Sequence, residues 1–564
     1  MAIPPTRQYP SSFQTHSSQH ANIHVPSQKA VMVSFHNRLM DSRVAIIGAG
    51  ISGLAAAKQL AAHKPVVFEA SSSIGGVWTH CAYRSTRLQT PRRDYEFSDF
   101  PWPDRDNHTF PTYLEIQEYL YAYATHFDVL KYIRFDSKVV ELRFIGEPES
   151  TGSDGRWGLH GLPLAGQPVW EVGVATKGSD TVQWYAFEFV VVCIGKYGDV
   201  PKMPVFPRNK GPEVFHGTVM HSMDYCKLEK EEAHTLMKGK KAAVIGYKKS
   251  GIDLALECAE ANQAVSKRFH SWNKQSNFLY HLPTFQGDFP DEEKMGNLAP
   301  WWSGPCIGLS SQLIYERPNQ SFLRHLVCLL SSPMKMAVSR FIESYLAWKL
   351  PLKKYGLLPD HPFLEDYASC QMAILPENFF PEADKGRIHF KRASKWWFWE
   401  GGIEFEDNTK LEADVVFLAT GFEGKKKLKS ILPDPFRDLI ENSSGIMPLY
   451  RGTIHPLIPH MAFVGYVESV SNLQTAELRC KWLARLLDGH FMLPNVEKML
   501  DKTNVEVEVM KRTTRFYKRH CISTYSINHN DEMCEEMGLR SWRKRSWFSE
   551  MFGAYTSEDY KEDK

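Results

Sequence analysis

Hydrophobic and polar positions near the N-terminus follow the order of a strand, a tight turn, a helix and a second strand. Arg43 to Ile47 is a short apolar run rich in β-branched residues, which is typical of a buried strand. Gly48-Ala49-Gly50-Ile51-Ser52-Gly53 follows, and Leu54 to Ala62 then consists of residues that favour a helix. A second apolar run, Pro65 to Phe68, ends at Glu69. This order predicts a unit that binds a dinucleotide.

Each glycine of this turn has a separate mechanical role. Gly48 allows the tight turn, Gly50 lets the backbone approach a pyrophosphate, and Gly53 lets the helix pack against the strand. The helix that follows presents N–H groups and the positive end of its dipole to phosphates. Glu69 lies 21 residues after Gly48, where a carboxylate accepts hydrogen bonds from ribose hydroxyls. The predicted contacts of the first nucleotide are Gly48, Ala49, Gly50, Ile51, Ser52, Gly53 and Glu69.

A second strand, turn and helix repeat this pattern in the middle of the chain. Lys240 to Gly246 is an apolar run that ends at glycine, and Ser250 to Ala259 favours a helix. Lys248 takes the place of the middle glycine, so its side chain is expected to crowd a pyrophosphate while it adds positive charge. The predicted contacts of the second nucleotide are Gly246, Tyr247, Lys248, Lys249, Ser250 and Gly251.

The chain after this helix departs from the usual pattern. Another buried strand should follow, but Ala264 to Trp272 contains no apolar run. The loop-like stretch from about residue 264 to 311 is therefore interpreted as an atypical insert. Two interpretations stay open, an intact second nucleotide site and a damaged or empty one.

Two further strands end at glycine, one on each side of the second turn. Tyr185 to Gly195 precedes that turn, and Leu411 to Gly421 follows it. These exits resemble the crossings between one nucleotide-binding domain and another inserted into it, where glycine lets the backbone pass close to a cofactor. The sequence therefore predicts an α/β fold with two Rossmann-like dinucleotide-binding domains, the second inserted in the first.

Composition removes several classes of function. The 564 residues include 67 basic and 65 acidic side chains, so no global field favours nucleic acid or an anionic membrane. No apolar run reaches the length of a membrane span, and residues 1–40 lack the apolar core of a signal peptide, which predicts a cytoplasmic protein. The ten cysteines are scattered without a CxxC pair, which favours reduced thiols and argues against a disulfide-reductase flavoenzyme. The histidines show no spacing typical of a metal site.

The residues after Glu69 distinguish between cofactors. Ser73-Ile74-Gly75-Gly76-Val77-Trp78 resembles the GG motif of flavoproteins with two dinucleotide sites, in which the backbone passes beside the FAD pyrophosphate. This resemblance makes the first site an FAD site. It adds Gly76 and Trp78 to the predicted cofactor contacts.

The segment Phe215 to Tyr225 resembles the FxGxxxHxxx[YF] fingerprint of flavin-containing monooxygenases. Baeyer–Villiger enzymes end a similar motif in Trp-Pro, whereas this chain has Tyr225-Cys226, which favours the class that oxygenates nitrogen or sulfur. Asp414 to Phe422 resembles the ATG segment of the same family, which makes Gly421 a predicted cofactor contact. The resemblance is strongest to plant flavin-containing monooxygenases associated with defence, which N-hydroxylate the cyclic amino acid pipecolate.

The resemblance implies FAD, NADPH and O2 as co-reactants and a small amine or amino acid as substrate. The implied reaction runs through a C4a-hydroperoxyflavin, which needs no nucleophile from the protein. Gln89 stands where the animal enzymes have an asparagine near the flavin C4a, so it is the candidate catalytic residue. The alternative is a non-catalytic or uncoupled flavoprotein, an NADPH oxidase, with a defective NADPH site.

The predicted domain boundaries follow from these motifs. They are a disordered extension at 1–40, an FAD-binding domain at 41–212 and 370–500, an NADPH-binding domain at 213–369 and a C-terminal helical segment at 501–564.

Overall fold

The computed structural model of the chain describes residues 42–104, 110–146, 163–164, 166–262, 269–273, 322–330, 332–371, 375–376, 378–546, 549 and 555–561. The predicted disordered extension at 1–40 and most of the predicted insert at 264–311 lie outside these ranges.

The first predicted dinucleotide-binding unit is built on a parallel sheet. Its described strands, in spatial order, are β16 (Met461–Phe463), β7 (Phe189–Val192), β1 (Val44–Ile47), β2 (Val66–Phe68) and β3 (Ile133–Arg134). Every residue of β1, β2 and β7 is buried, as expected for strands of a parallel sheet that is covered on both faces. Side chains of β1 alternate between two apolar clusters, with Val44 and Ile46 in one and Ala45 and Ile47 in the other.

A second parallel sheet holds the other predicted unit. Its described strands, in spatial order, are β11 (His389–Ala393), β10 (Phe269–Asn273), β9 (Ala242–Ile245), β15 (Val415–Leu418) and β8 (Thr218–His221). All five strands fall between β7 and β16 along the chain, so the second sheet is inserted within the first. This arrangement confirms the α/β fold with two Rossmann-like units.

The second sheet differs from the sequence-based expectation in two places. No strand was expected after the second helix, yet β10 pairs in parallel with both β9 and β11. Backbone hydrogen bonding to two neighbours places a strand here, although the sequence lacks the apolar run that would signal it. In addition, β11 and β15 belong to this sheet, so it extends beyond residue 370, where the return to the first domain was predicted.

Small antiparallel sheets and helices complete the described fold. The sheets are β4–β6 (Ser137–Phe144, Trp170–Thr176, Val182–Phe187) and β12–β14 (Trp396–Trp399, Gly402–Phe405, Lys410–Glu412). The α-helices α1–α8 are Ile51–Gln59, Val77–His80, Tyr113–His126, Ser222–Tyr225, Lys230–Met237, Lys249–Ala261, Phe322–Leu330 and Ser332–Lys349. Helices α9–α15 are Phe363–Ala368, Phe379–Asp384, Gly424–Lys429, Phe436–Leu439, Asn472–Leu487, Val496–Thr513 and Ser526–Glu536. No helix among the described residues has both the length and the apolar character needed to cross a membrane.

A disulfide joins Cys370 to Cys521, so the expectation of reduced cysteines is wrong for this pair. The two residues are 151 positions apart, and only the fold brings them together, which is why spacing gave no signal. Around the bond, the Arg519 guanidinium donates to the Ser369 carbonyl (3.0 Å) and Arg515 forms an ion pair with Glu365 (2.9 Å). The disulfide and these polar contacts hold residues 515–521 next to α9.

Reduction of this disulfide is expected to lower the free energy of unfolding by roughly 2–5 kcal/mol, because the bond closes a long loop in the unfolded chain. Thermal melts with and without a thiol reductant measure the effect. The variant Cys370→Ser should melt at the same temperature under both conditions. Full alkylation of Cys370 and Cys521 in the native, non-reduced protein would show that the bond does not form.

Candidate functional site

The first turn requires glycine at its start and at its end. Gly48 follows β1 with φ +98°, and a Cβ there would lie 2.9 Å from the Cys193 carbonyl oxygen. A Cβ on Gly53 would lie 1.8 Å from the Gly48 carbonyl oxygen, closer than atoms can approach. Helix α1 therefore sits directly on the turn, as the motif predicted.

Gly50 differs from these two residues, because a Cβ there would meet no atom closer than 3.6 Å. The fold itself therefore leaves room at Gly50. Gly50 is also the N-cap of α1, and no side chain among the described residues caps this helix. The N–H groups of the first helical turn, including those of Ile51 and Ser52, thus present the geometry that binds phosphate.

The carboxylate of Glu69 lies at the end of β2, next to the turn. One of its oxygens accepts a hydrogen bond from the Ala49 amide (2.7 Å). The other accepts from the amide (2.9 Å) and the hydroxyl (2.6 Å) of Ser71. These bonds fix the acid where the motif needs it. Ser71 was not predicted, because a serine two residues after an acid is too common to be a signal.

The GG motif crosses the first turn. A Cβ on Gly76, where φ is +59°, would lie 3.1 Å from the Cα of Gly50, and the Gly75 amide donates to the Ala49 carbonyl (3.0 Å). The structure thus brings together the two segments of backbone that were expected to line one pyrophosphate. Trp78 follows on α2, with its indole N–H donating to the Tyr95 hydroxyl at 3.2 Å.

The second turn repeats the steric pattern of the first. A Cβ on Gly246 (φ +146°) would lie 2.4 Å from the Ala419 carbonyl oxygen, and one on Gly251 would lie 2.8 Å from Gly246. Helix α6 begins at Lys249 without a side-chain cap among the described residues. Each turn therefore packs against the end of a neighbouring strand, the first against Cys193 and the second against Ala419.

The two lysines of the second turn have different surroundings. The Lys249 ammonium pairs with Asp253 at 2.5 Å. Lys248 is half-buried, and its Nζ lies 5.6 Å from the centre of the Tyr247 ring. Burial and the nearby Arg519 lower the pKa of Lys248 from its ordinary value of 10.5 to about 7, against the opposing influence of Glu468 and Asp366.

The two crossing segments lie side by side. Gly195 and Gly421 both have positive φ, and no atom would lie within 4 Å of a Cβ on either. The Lys202 amide donates to the Gly421 carbonyl (2.9 Å), and the Glu423 amide donates to the Val200 carbonyl (2.9 Å). The chain therefore leaves the first sheet and returns to it along one hydrogen-bonded ribbon.

An ion cluster around the buried Glu468 borders this ribbon. Glu468 pairs with Lys196 (2.6 Å) and with Arg519 (2.7 Å) and accepts a hydrogen bond from the Tyr197 hydroxyl. Burial opposes ionisation of this acid, but Lys196 and Arg519 outweigh it and lower the pKa of Glu468 to about 2. This cluster was not predicted, because Glu468 and Arg519 are far along the chain from Lys196 and Tyr197.

The model of the family described as "Flavin-binding monooxygenase-like" matches residues 41–278 and 313–543. The chain belongs to this family. It is 60% identical over 538 residues to "Probable flavin-containing monooxygenase 1" of Arabidopsis thaliana, covering 94% of this chain and 98% of the relative. It is 27% identical to "Flavin-containing monooxygenase 3" of Homo sapiens, covering 89% of this chain and 84% of that protein.

Solved structures of this monooxygenase fold match most of the chain. A steroid monooxygenase bound to NADP superimposes with a TM-score of 0.61 at 19% identity, covering 91% of this chain and 99% of that one. The complex of OTEMO with FAD and NADP gives a TM-score of 0.59 at 19% identity, covering 85% and 92%. At this identity the likeness concerns the fold. Family membership makes the protein a flavin-dependent monooxygenase with FAD and NADPH as cofactors.

His221 of the monooxygenase fingerprint has a structural role, whereas Gln89 is the candidate catalytic residue. His221 is buried and caps α4, its Nδ1 accepting from the Met223 amide at 3.1 Å. Gln89 is half-buried and follows Leu88, whose amide donates to the Pro111 carbonyl (2.8 Å). The catalytic role of Gln89 stays a prediction. Within the described residues, no group of His, Cys, Asp or Glu could hold a metal ion.

The affinity of the monooxygenase for NADP+ is expected to fall as the pH rises above 7. Below about pH 7 Lys248 is protonated in the nucleotide-free protein, so its attraction to phosphate is constant. Above that pH it must take up a proton on binding, so Kd should increase by up to about tenfold per pH unit. Titrations of NADP+ between pH 6 and 9 measure this dependence. A Lys248→Met variant should lack it, and parallel profiles for the two proteins would contradict the assignment.

Proposed function

We propose that this monooxygenase holds FAD at residues 48–53 and NADPH at residues 246–251, and that it hydroxylates a nucleophilic nitrogen of a small amine or amino acid, such as pipecolate. The observation that carries the proposal is the repeated steric pattern of the two turns. In each, glycines stand where backbone atoms exclude a side chain, and each turn packs against the strand that leads into a crossing segment.

The residues of the first turn fit a flavin dinucleotide. Gly50 leaves space that the protein does not fill, and the start of α1 offers N–H donors to the two phosphates. Glu69 offers carboxylate oxygens beside that start, and Ser71 and Ala49 hold them in place. In the second turn Lys248 stands where the dinucleotide-binding motif has glycine, and its positive charge compensates for the closer backbone approach that glycine would allow.

Bound FAD and NADPH supply the redox and oxygen chemistry. The overall reaction balances as substrate nitrogen, O2, NADPH and a proton giving hydroxylated nitrogen, NADP+ and water. The chain itself has to orient the two nucleotides and exclude water from the reacting atoms. We propose that Gln89 acts there, with its side-chain amide as a hydrogen-bonding group beside the flavin.

The choice of nitrogen or sulfur over a ketone rests on the end of the fingerprint, Tyr225-Cys226, where Baeyer–Villiger enzymes have Trp-Pro. The choice of a cyclic amino acid, and a role in plant defence, rest on the resemblance to the defence-associated plant enzymes. The 60% identity to a flavin-containing monooxygenase of Arabidopsis thaliana supports the enzyme family, and the substrate and the role in defence rest on the resemblance alone.

Rapid mixing of the purified protein with NADPH under anaerobic conditions tests the first half of the proposal. Bleaching of the flavin absorbance at a rate that saturates with NADPH is expected. O2 and pipecolate then added together should give a product one oxygen atom heavier, with a yield close to one per NADPH. Bleaching followed by stoichiometric H2O2, with every amine tried, would favour the NADPH oxidase alternative. No bleaching would favour a flavin carrier.

A further inference from the structure

A tight turn at residues 83–86 lies between the first unit and the second. The Thr86 amide donates to the Tyr83 carbonyl (2.9 Å), and the Thr86 hydroxyl accepts from the Tyr83 amide (3.0 Å). On the side of the first unit, the Tyr113 amide donates to the Thr86 carbonyl (3.1 Å) and the Leu88 amide donates to the Pro111 carbonyl (2.8 Å). Gln89 follows Leu88 directly along the chain. These hydrogen bonds therefore fix the backbone position from which the candidate catalytic side chain extends.

On the opposite side the turn is held by Glu257 of α6. One carboxylate oxygen of Glu257 accepts a hydrogen bond from the Ser85 amide at 2.7 Å. The other accepts from the Tyr225 hydroxyl at 2.5 Å. Glu257 is only 7% exposed, so water does not replace either bond easily. One buried side chain thus connects the helix of the second turn, the turn before Gln89 and the fingerprint residue Tyr225.

Tyr83 adds a second connection between the same elements. Its ring packs against the apolar cluster that contains Tyr225 and, from α6, Ile252 and Ala255. The Tyr83 and Tyr225 rings are also in edge contact, with centroids 6.0 Å apart. The turn is therefore held to α6 by the hydrogen bond from Ser85 to Glu257 and by the packing of Tyr83.

Helix α6 begins at the turn that we assign to NADPH, and Glu257 lies about two helical turns from that end. A change in the position of α6 on nucleotide binding would therefore reach the turn at 83–86 through the bond from Ser85 to Glu257. The fingerprint pattern accepts Phe or Tyr at position 225, so the hydroxyl contact with Glu257 is a feature of this chain and not a requirement of the motif.

We infer that Glu257 is a positioning residue that couples occupancy of the NADPH site to the placement of the segment ending at Gln89. The inference rests on the proposed function, because it takes residues 246–251 as the NADPH site. Glu257 lies along α6 and outside the two glycine turns that we assign to the nucleotides. It acts through the Ser85 amide and the Tyr225 hydroxyl.

Hydrogen–deuterium exchange of the FAD-bound protein tests the inference without measuring turnover. In the wild type, saturating NADP+ is expected to slow exchange of the amides in residues 83–89. In Glu257→Leu, the same amides, Ser85 above all, should exchange about tenfold faster without nucleotide, because the Ser85 amide has lost its acceptor. More importantly, NADP+ should no longer slow them, although it should still slow exchange at the start of α6.

Further variants separate coupling from general damage. Glu257→Gln keeps an acceptor for Ser85 and should behave like the wild type, which makes it the conservative rescue. Tyr225→Phe removes one hydroxyl and should weaken the response to NADP+ at residues 83–89 even if Glu257→Leu does not fold. Glu260→Leu, on the same helix and half-buried, is the matched control and should leave the response intact.

An equal response to NADP+ in wild type, Tyr225→Phe and Glu257→Leu would overturn the inference. A wild type that binds FAD but shows no protection by NADP+ at α6 would instead contradict the assignment of the NADPH site. The readout at α6 and the readout at 83–89 therefore distinguish failure of the inference from failure of the proposed function.

Discussion

Purified Gly53→Ala is expected to be colourless, because it should no longer retain FAD. The added methyl would lie 1.8 Å from the Gly48 carbonyl oxygen, so either the turn or α1 must move. The atoms that would clash belong to the backbone of the turn and of α1, which cannot rotate away as a flexible side chain can. We expect the affinity for FAD to fall at least about 100-fold, equivalent to about 2.7 kcal/mol. The ratio of flavin to protein absorbance, followed by FAD titration of the apoprotein, measures the loss.

Gly50→Ala is the matched control for this variant. A methyl there meets only ordinary contacts within the protein, the nearest at 3.6 Å, so the apoprotein should melt at the temperature of the wild type. Because the methyl occupies the space left for the pyrophosphate, the affinity for FAD should still fall. Gly53→Ala should lower both the melting temperature and the affinity. A Gly53→Ala protein that is as yellow as the wild type would show that FAD binds elsewhere.

Gly251→Ala should keep its FAD but lose rapid reduction by NADPH. The added methyl would lie 2.8 Å from the backbone of Gly246, so the second turn has to shift while the first remains intact. A displacement of this kind at a site that positions a reactant lowers the rate by about 100-fold. Anaerobic stopped-flow reduction at saturating NADPH measures it. Reduction by dithionite is the control and should proceed at the wild-type rate. Equal rates with NADPH in both proteins would place the nucleotide away from this turn.

The two turns were the part of the site that the sequence could predict. A glycine that must approach backbone, such as Gly48 or Gly53, leaves a fixed spacing in the chain, and an acid at the end of the next strand adds a second fixed position. These are local constraints, and the structure satisfies them. Tertiary contacts leave no such spacing, which is why the ion cluster at Glu468 and the contacts of Glu257 were not predicted.

The errors have the same physical origin. The disulfide between Cys370 and Cys521 depends on two segments that meet only after folding. Strand β10 is specified by its neighbours and not by an apolar run of its own. Pipecolate as substrate, the role in defence, the cytoplasmic location and the catalytic role of Gln89 stay predictions, because each depends on more than the local pattern of the chain.

The ribbon formed by residues 196–202 and 420–424 has one more consequence. Since the two strands of the ribbon are hydrogen-bonded to each other, the inserted unit begins and ends at the same place. When the two ends of a domain are adjacent, that domain can be inserted into another one without separating the two parts of the receiving domain. It can also be removed and replaced by a linker of a few residues. The inserted NADPH-binding unit should therefore be exchangeable between relatives by joining the chains at this ribbon.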